Sequence, residues 1–472
     1  MVRYVRWLLL CGVAVVLVQV MTAAPAQEGA EPPARLEVEN AALTYWQAYA
    51  ALDFPDMSED VDLGLLIMDV TAGEVPYDPD RLEPIVARND RALRLLRLAT
   101  RRPWCSFGVD PTAGREVFTE HYSVMRGFID PLTLLIRREQ ALGRTDLLPD
   151  LYHDMLAMGG HLDGDGVVMS WLVGAAIVQR GLMELIRGVG TGQPDMAWLQ
   201  QVLRVLDAVE SRPLDLGKAI EGERIVLLHT YDKLDAEGWL EGFALVERME
   251  AVMGFVDELL GALLEEIGAP RSKGGAGGAG EAQVLLSRKL RATIGGSDRV
   301  EGERLEKLLG MRPGSLANEE AFVAEMRRHL IDVAREHAEL RTLAAQPYPA
   351  VSTELAKTAA RWQSPPIRVV MDRLIGPTQL VSCFEKSART RAHLAAARIF
   401  CLARMAELRT SALPTTLVGI AQNAAAGSKV TLPSDPFTGR PFSLSVTAGE
   451  MTLTCGASQR DGSPMQFTMT RK

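Results

Sequence analysis

The chain has 472 residues, of which 47% are hydrophobic and 24% are charged, as is usual for a globular protein with a large core. This length has room for two or three domains. The formal net charge of −9 at pH 7, with no basic patch interleaved with aromatic residues, argues against nucleic acid as a partner.

The first 26 residues have the layout of a secretory signal peptide. Arg3 and Arg6 precede an apolar run over residues 7–21, and Ala24 and Ala26 are small residues at the positions that a signal peptidase reads. We therefore predict a signal peptide over 1–26, cleavage after Ala26, and a periplasmic or extracellular protein. The alternative is an N-terminal membrane anchor through residues 7–21, which is shorter than the roughly 20 residues that a spanning helix needs.

Apolar residues then recur at helical spacing through a predicted N-terminal helical domain over 36–267. An amphipathic helix is predicted to start near residue 38 and to end near 54–55. Further helices are predicted over 80–101, 115–142, 145–159, 166–188, 195–211, 214–234 and 238–267.

A Gly-rich linker is predicted over 268–281, because the tract at 274–280 loses much backbone entropy on ordering. A phosphate-binding loop is the alternative, but no Lys-Ser or Lys-Thr pair follows the tract. A second helical region is predicted over 282–412, with helices near 283–294, 300–310, 318–344, 350–363 and 378–411.

The last segment, 413–472, is predicted to be a turn and β-hairpin module. Polar and apolar residues alternate over 442–446 and 451–455 on either side of a candidate turn at Ala448 and Gly449, and 465–470 adds a third strand. Three strands need a surface to pack on, and the helix at 378–411 is expected to supply it. The predicted fold is mainly α, a two-lobed helical bundle or stacked helical array with a small C-terminal antiparallel β-hairpin module.

The C-terminal order of a long helix, a Leu-Pro-Thr-Thr-Leu turn at 413–417 and Asp-Pro-Phe-Thr-Gly-Arg-Pro at 435–441 resembles the end of type II secretion pseudopilins. The sequence departs from that family, because no Gly-Phe-Thr-Leu-x-Glu follows the basic start and a long helical body intervenes.

Most of the mature chain resembles a group of uncharacterised, exported, helix-rich bacterial proteins that end in the same module. The matching segments are 40–48, 102–105 (Arg-Pro-Trp-Cys), 172–177 and 220–224. This resemblance implies export and a helical body, and it implies no activity.

One motif suggests an enzyme. The His153-Asp154 pair resembles the signature of HD-type metal phosphohydrolases, and the matching metal ligands would be His121, His153, Asp154 and Asp232. Imidazole and carboxylate groups on facing helices can hold a divalent ion that acidifies a bound water. The alternative is a partly exposed helix face, and the spacing alone does not show that His121 and Asp232 converge.

Two other patterns suggest metal sites less strongly. The segment 161–166 has acidic residues at EF-hand spacing but lacks the later ligands, which favours a turn in which Asp165 or Gly166 caps the next helix. Glu325, His329, Asp332 and Glu336 form one helical stripe for which a solvated face is the simpler explanation; His337 falls on the apolar stripe and is interpreted as a packing residue.

Glu221 and Glu223 could perform acid–base chemistry together, but at positions i and i+2 of a helix they point about 200° apart. An ion pair with Arg224 is the favoured interpretation. The pairing of Cys105, Cys383, Cys401 and Cys455 stays open, except that Cys383 and Cys401 share one predicted helix and are too far apart to join.

These patterns single out no catalytic, metal-binding or cofactor-binding residues and predict no cofactor. The favoured function is an exported, non-enzymatic helical scaffold or binding protein of the cell envelope, with a protein or peptide partner. The alternatives are a metal-dependent HD-type phosphohydrolase and a component related to a secretion or pilus-like assembly.

Overall fold

The computed structural model describes residues 40–55, 60–116, 119–192, 194–237, 303, 306–307, 312–315, 319–362, 377–424, 430–458 and 463–471. The predicted leader over 1–26, the linker over 268–281, and the predicted helices over 238–267 and 283–294 lie outside these residues, as does most of the predicted helix over 300–310.

The described part of the chain is mainly helical, which confirms the predicted fold class. The helices of its first half are α1 (Ala41–Ala50), α2 (Val61–Ala72), α3 (Pro79–Arg88), α4 (Asp90–Thr100), α5 (Glu120–Gly127), α6 (Ile129–Ala141), α7 (Leu148–His161), α8 (Val168–Thr191), α9 (Met196–Ser211) and α10 (Leu216–Glu237). The later helices are α11 (Glu319–Ala344), α12 (Tyr348–Arg361), α13 (Pro377–Thr410) and α14 (Leu417–Asn423). Short 3₁₀ helices lie at Pro111–Glu116, Thr145–Leu147 and Leu162–Asp165.

Two of the predicted helices are divided in the structure. The predicted helix over 80–101 breaks at Asn89, whose buried side chain donates hydrogen bonds to the carbonyl oxygens of Asp53 (2.9 Å) and Ile85 (2.8 Å). The predicted helix over 115–142 breaks at Phe128, which ends α5 and precedes α6. The residues at the two breaks, Asn89 and Phe128, are both buried.

Helix α2 is missing from the sequence-based prediction. Its sequence is apolar nearly throughout, and Val61, Leu65 and Met68 are exposed although they are hydrophobic. Because the helix has no clear polar face, it lacks the amphipathic periodicity that identifies a surface helix in a sequence.

Helices α7 and α8 pack against each other at unusually short range. A Cβ atom on Gly159 of α7 would lie 2.7 Å from the carbonyl oxygen of Gly174, and a Cβ on Gly174 would lie 2.6 Å from that of Gly159. Gly181 and Gly188 continue this face of α8 at seven-residue intervals, because two helical turns span 7.2 residues. A Cβ on Gly188 would overlap the hydroxyl of Tyr152. The glycines therefore permit the close approach of the two backbones.

The buried apolar residues form two clusters. The larger cluster gathers α1–α9, α14, the second half of α13 and the C-terminal sheet. The smaller one joins α10, α11 and α12 to the beginnings of α8 and α13, where Trp171 and Phe384 are buried. Helices α8 and α13 thus contribute to both clusters and connect them.

The C-terminal strands are β1 (Ser443–Val446), β2 (Glu450–Ser458) and β3 (Pro464–Thr470), in an antiparallel sheet of order β1-β2-β3. Met451 pairs with Met469 and Leu453 with Phe467 on the buried face. The alternation of polar and apolar residues predicted these strands correctly, because one face of the sheet is buried and the other is exposed.

The sheet packs against α13, as the sequence predicts. The ring of Phe467 meets that of His393 edge-on at 4.9 Å between centroids, and Arg471 pairs with Glu407 at 2.9 Å. The end of α8 supplies a second contact, since a Cβ on Gly190 would lie 2.5 Å from the carbonyl oxygen of Thr470.

The Asp-Pro-Phe-Thr-Gly-Arg-Pro segment at 435–441 is a turn held by one buried carboxylate. Asp435 accepts hydrogen bonds from the backbone N–H of Phe437 (2.9 Å), the hydroxyl of Thr438 (2.8 Å) and the backbone N–H of Gly456 (2.8 Å). The last of these bonds ties the turn to β2. The motif therefore has a structural role in joining the turn to the sheet.

A buried carboxylate also holds α2 against α8. Glu184 lies 3.0 Å from Arg137 and 2.9 Å from Arg187, and Arg187 donates to the carbonyl oxygen of Ala72 (2.8 Å) at the end of α2. Gly73 follows with φ +81°, and a Cβ there would meet the Arg187 guanidinium. This contact requires glycine for its backbone conformation and for space.

Helix α8 is, by length and composition, apolar enough to cross a membrane, but 61% of its most apolar 18-residue window is buried inside the protein.

The close approach of α7 and α8 predicts opposite effects for two adjacent glycines. Gly159→Ala should lower the free energy of unfolding by about 1–3 kcal/mol, because its Cβ would press on backbone atoms of α8. Gly160→Ala, with no atom within 4 Å of its Cβ, should leave stability unchanged or raise it by up to about 1 kcal/mol through helix propensity. Urea denaturation followed by circular dichroism measures both, and equal stabilities would contradict the glycine contact.

Candidate functional site

A cavity of about 710 Å³, partly open to solvent, lies between helices of the protein. Helices α7, α8, α9 and α13 form its walls, together with the loop that follows α4. Small-molecule sites in proteins commonly have volumes of about 300–1,000 Å³, so this cavity has the size of a ligand site.

Its walls are largely apolar. Trp171, Val178 and Leu182 lie at positions i, i+7 and i+11 of α8 and present one face to the cavity, opposite Val205 and Leu394 from α9 and α13. Trp171 is 1% exposed. Its Nε1 is buried and has no hydrogen-bond partner among the described residues, which is unusual because a buried indole N–H normally finds an acceptor.

Four of the described residues that line the cavity are arginines. Arg101 and Arg102 follow α4, Arg212 follows α9 and Arg391 lies on α13. Arg101 pairs with Asp150 at 3.2 Å. In the described part of the chain no carboxylate lies within 4.0 Å of the other three guanidinium groups.

The acidic content of the cavity is small. Asp163 is the one carboxylate among its described lining residues. Burial raises the pKa of Asp163, although the backbone N–H of Asp215 donates to it at 2.7 Å. The described lining of the cavity therefore has four arginines and a single carboxylate.

His161 forms part of the wall and is held in one tautomer. The hydroxyl of Tyr45 is 2.8 Å from Nδ1, and the carbonyl oxygen of Arg102 is 3.2 Å from Nε2. A carbonyl only accepts, so Nε2 carries the proton and Nδ1 accepts from Tyr45. Burial lowers the pKa of His161 to about 4, and the positive charge of Arg212 acts in the same direction. The imidazole is therefore neutral at pH 7.

Cys105 also lines the cavity, together with Arg102, Pro103 and Trp104. Burial, with a smaller contribution from Asp165, raises the pKa of the Cys105 thiol. A protonated thiol is a poor nucleophile. Cys105, Cys383, Cys401 and Cys455 are all buried free thiols, and Cys383 and Cys401 do share α13.

Two of the four candidate metal ligands, His121 and Asp154, have other partners. His121 of α5 lies 2.8 Å from Asp165, both side chains are fully buried, and the ring of His121 stacks on Phe107 at 4.4 Å between centroids. This pairing also corrects the predicted role of Asp165. It does not cap α8, whose N-cap is Val167 without a side-chain hydrogen bond.

Asp154 is likewise engaged in structural contacts. It accepts hydrogen bonds from the Nε of Arg97 (2.9 Å) and the hydroxyl of Thr100 (2.6 Å), and these join α7 to α4. His153 is half-buried and lines the cavity. The side chain of Asp232 lies outside the described ones. Among the described residues no group of three or more His, Cys, Asp or Glu side chains is placed to hold a metal ion.

The predicted solvated face of α11 is wrong. Glu325, His329 and Glu336 are buried. Burial acts to raise the pKa of Glu325, but hydrogen bonds from Arg328 and Arg312 lower it to about 2. Periodicity placed these residues off the apolar stripe of their own helix, and it contains no information about the arginines that pack over them.

The remaining acidic pair behaves as the residues suggested. Glu221 pairs with Arg224 at 2.6 Å and with Arg341 of α11 at 3.2 Å. These bonds help to lower the pKa of Glu221, whereas burial raises that of Glu223. His337 is buried in α11, as its apolar stripe predicts.

No family model, curated protein or solved structure matches this chain. The cavity was not predicted from the sequence. The available signal was the set of Arg101, Arg102 and Arg212 just after helix ends, a pattern that also stabilises helix C-termini.

The burial of His161 predicts acid sensitivity. Its pKa is about 4 in the folded protein and roughly 6.5 in an unfolded chain. Between these pH values the unfolded state binds more protons, so the free energy of unfolding falls as the pH decreases from 6.5 to 4. His337, with a pKa of about 4, adds to this fall.

His161→Gln should reduce this slope by up to about 1.4 kcal/mol per pH unit, because glutamine can keep both hydrogen bonds without titrating. Urea titrations at half-unit pH steps provide the measurement, and the slopes above pH 7 serve as the control. Identical slopes below pH 6.5 would contradict the neutral, buried state of His161.

Proposed function

We propose that the protein is an exported, non-enzymatic binding protein of the cell envelope that holds a small-molecule ligand in the cavity between α7, α8, α9 and α13. The cavity is the observation that carries this proposal. It has a volume of about 710 Å³, is partly open to solvent and is lined mainly by apolar surface. A cleft of this size and character can bury most of the surface of a small-molecule ligand.

The chemistry of the lining favours binding over catalysis. The ring nitrogens of His161 are both engaged, by Tyr45 and by the carbonyl of Arg102. The pKa of Cys105 is raised by burial. Both groups are therefore neutral parts of the wall, and neither is prepared to act as a base or nucleophile.

Export is the second part of the proposal, and it depends on the leader-like segment over 1–26. A protein or peptide partner and a relationship to a secretion assembly stay predictions from the sequence. The hydrolase alternative gains no support from the described residues, because His121 pairs with Asp165 and Asp154 binds Arg97 and Thr100.

Filling the cavity tests the binding proposal. The neutral fluorescent probe N-phenyl-1-naphthylamine should bind the wild-type protein with a rise in fluorescence. Ala157→Trp, which places an indole at the cavity wall, should weaken this binding at least about tenfold, because it removes the space for the probe. Ala176→Trp is the matched control on the exposed surface of α8 and should bind as the wild type does.

Two results would contradict the binding proposal. The first is a wild-type protein that does not bind the probe. The second is equal probe affinity in the wild type and in Ala157→Trp, with circular dichroism confirming that the variant is folded.

Export is tested by the N-terminus of the protein in its native cells. The periplasmic or extracellular fraction should contain a chain that begins at Gln27, as read by N-terminal sequencing or intact mass. Ala26→Trp should prevent this cleavage, because the signal peptidase requires a small residue there. Recovery of the chain with residues 1–26 intact in the cytosol would overturn the export proposal.

A further inference from the structure

We infer that the ligand of the cavity is an amphiphile with an apolar tail and a single anionic headgroup, either a carboxylate or a phosphate monoester. This inference depends on the proposed binding function and specifies the chemical class of ligand. It follows from three properties of the cavity: the character of its walls, the charge at its edge and the type of its unsatisfied polar groups.

The walls fit an apolar tail. Val205 and Val209 of α9, Leu214 and Leu394 line the cavity and are half-buried, so part of their apolar surface is accessible. A hydrocarbon chain against such walls gains roughly 0.8 kcal/mol for each CH₂ group removed from water. A small ion alone would leave this apolar surface without contacts.

The edge of the cavity fits an anion. Arg102, Arg212 and Arg391 come from three separate segments of the chain and all line the cavity. Among the described residues none of them has a carboxylate within 4.0 Å. Guanidinium groups bind carboxylates and phosphates through paired hydrogen bonds, so these three arginines can supply the counter-charge for an anionic headgroup.

Other arginines of the protein provide the contrast. Arg137 pairs with Glu184 at 3.0 Å, and Arg312 pairs with Glu325 at 2.7 Å. Even Arg101, beside Arg102, reaches Asp150 at 3.2 Å. Exposed arginines such as Arg81 and Arg204 also lack a carboxylate within 4.0 Å among the described residues, so what distinguishes Arg102, Arg212 and Arg391 is that all three line one cavity.

Three polar atoms of lining residues are buried without a hydrogen-bond partner in the described part of the chain: Nε1 of Trp171, Nε of Arg102 and Nδ1 of His153. The first two are donors. Indole and guanidinium groups donate hydrogen bonds and do not accept them. A buried donor left unpaired is costly. A carboxylate or a phosphate brings acceptor oxygens and therefore matches the guanidinium donors of Arg102, Arg212 and Arg391.

A matched ligand series tests the inference on the wild-type chain. Dodecanoate, dodecyl phosphate and dodecan-1-ol have the same tail and differ in the headgroup, whereas acetate and inorganic phosphate lack the tail. Below their critical micelle concentrations, the two anionic amphiphiles should displace N-phenyl-1-naphthylamine at least about tenfold more tightly than dodecanol, as expected for charged hydrogen bonds. Acetate and inorganic phosphate should not displace it. The tighter of the two anions identifies the headgroup as carboxylate or phosphate.

Arginine variants locate the anion. Arg102→Gln combined with Arg391→Gln should weaken dodecanoate or dodecyl phosphate at least about tenfold and leave dodecanol unchanged. Arg204→Gln, at an exposed arginine of α9 outside the cavity lining, is the control and should bind as the wild type does.

The outcomes separate this inference from the proposed function. Equal binding of dodecanol and dodecanoate, or no effect of the Arg102 and Arg391 substitutions, would overturn the anionic headgroup and leave cavity binding intact. Displacement by acetate or inorganic phosphate at the affinity of the dodecyl compounds would overturn the apolar tail. Failure of the wild type to bind the naphthylamine probe would contradict the proposed function itself.

Discussion

The contact between the backbones of α7 and α8 determines where the other elements of the protein can lie. The carbonyl oxygen of each of Gly159 and Gly174 lies where a Cβ atom of the other would be, and Gly188 leaves space for the hydroxyl of Tyr152. Because one face of α8 is occupied by α7 at this short distance, its other faces are available to separate partners. Trp171, near the start of α8, belongs to the smaller apolar cluster, and Gly190, near the end of α8, allows β3 to approach. Helix α8 is therefore the element around which both clusters and the cavity are arranged.

Placing α8 in the interior also places its charges there. Glu184 is fully buried, and the protein compensates it with Arg137 and Arg187 instead of leaving an isolated charge, which would be far costlier. The same solution recurs at Glu325 of α11. In both networks a buried glutamate is paired with two arginines. Arg102, Arg212 and Arg391 at the cavity have no carboxylate within 4.0 Å among the described residues, a property that they share with exposed arginines such as Arg81 and Arg204.

The sequence predicted the parts of the fold in which a local pattern reports burial directly. The strands were recognisable because alternate residues such as Leu453 and Phe467 face one core. Helix α2 was missed because its exposed face is as apolar as its buried one. The buried state of Glu325 was missed because apolar periodicity does not register its ion pairs with Arg328, at i+3 on the same helix, and with Arg312, outside that helix. His121 was grouped with Asp154 as a metal ligand, but its partner is Asp165, 44 residues along the chain. Sequence spacing cannot choose between two acids that are both reachable only after folding.

The cavity lies beyond sequence patterns for a related reason. Its wall residues on α8, Trp171, Val178 and Leu182, are buried. The apolar periodicity of α8 places them in the interior and does not show that they line a cavity. A void appears only when four helices are assembled and their side chains fail to meet. Arg212 follows the end of α9, where its charge also stabilises the carbonyl end of that helix, so its position alone does not distinguish a helix-end charge from a ligand contact. The distinction comes from the neighbours: a helix dipole acts within about one turn, whereas Arg391 lies in the middle of α13 and shares the same cavity. Helix-end stabilisation therefore does not account for the position of Arg391, whereas the proposed anionic ligand gives all three arginines a common role.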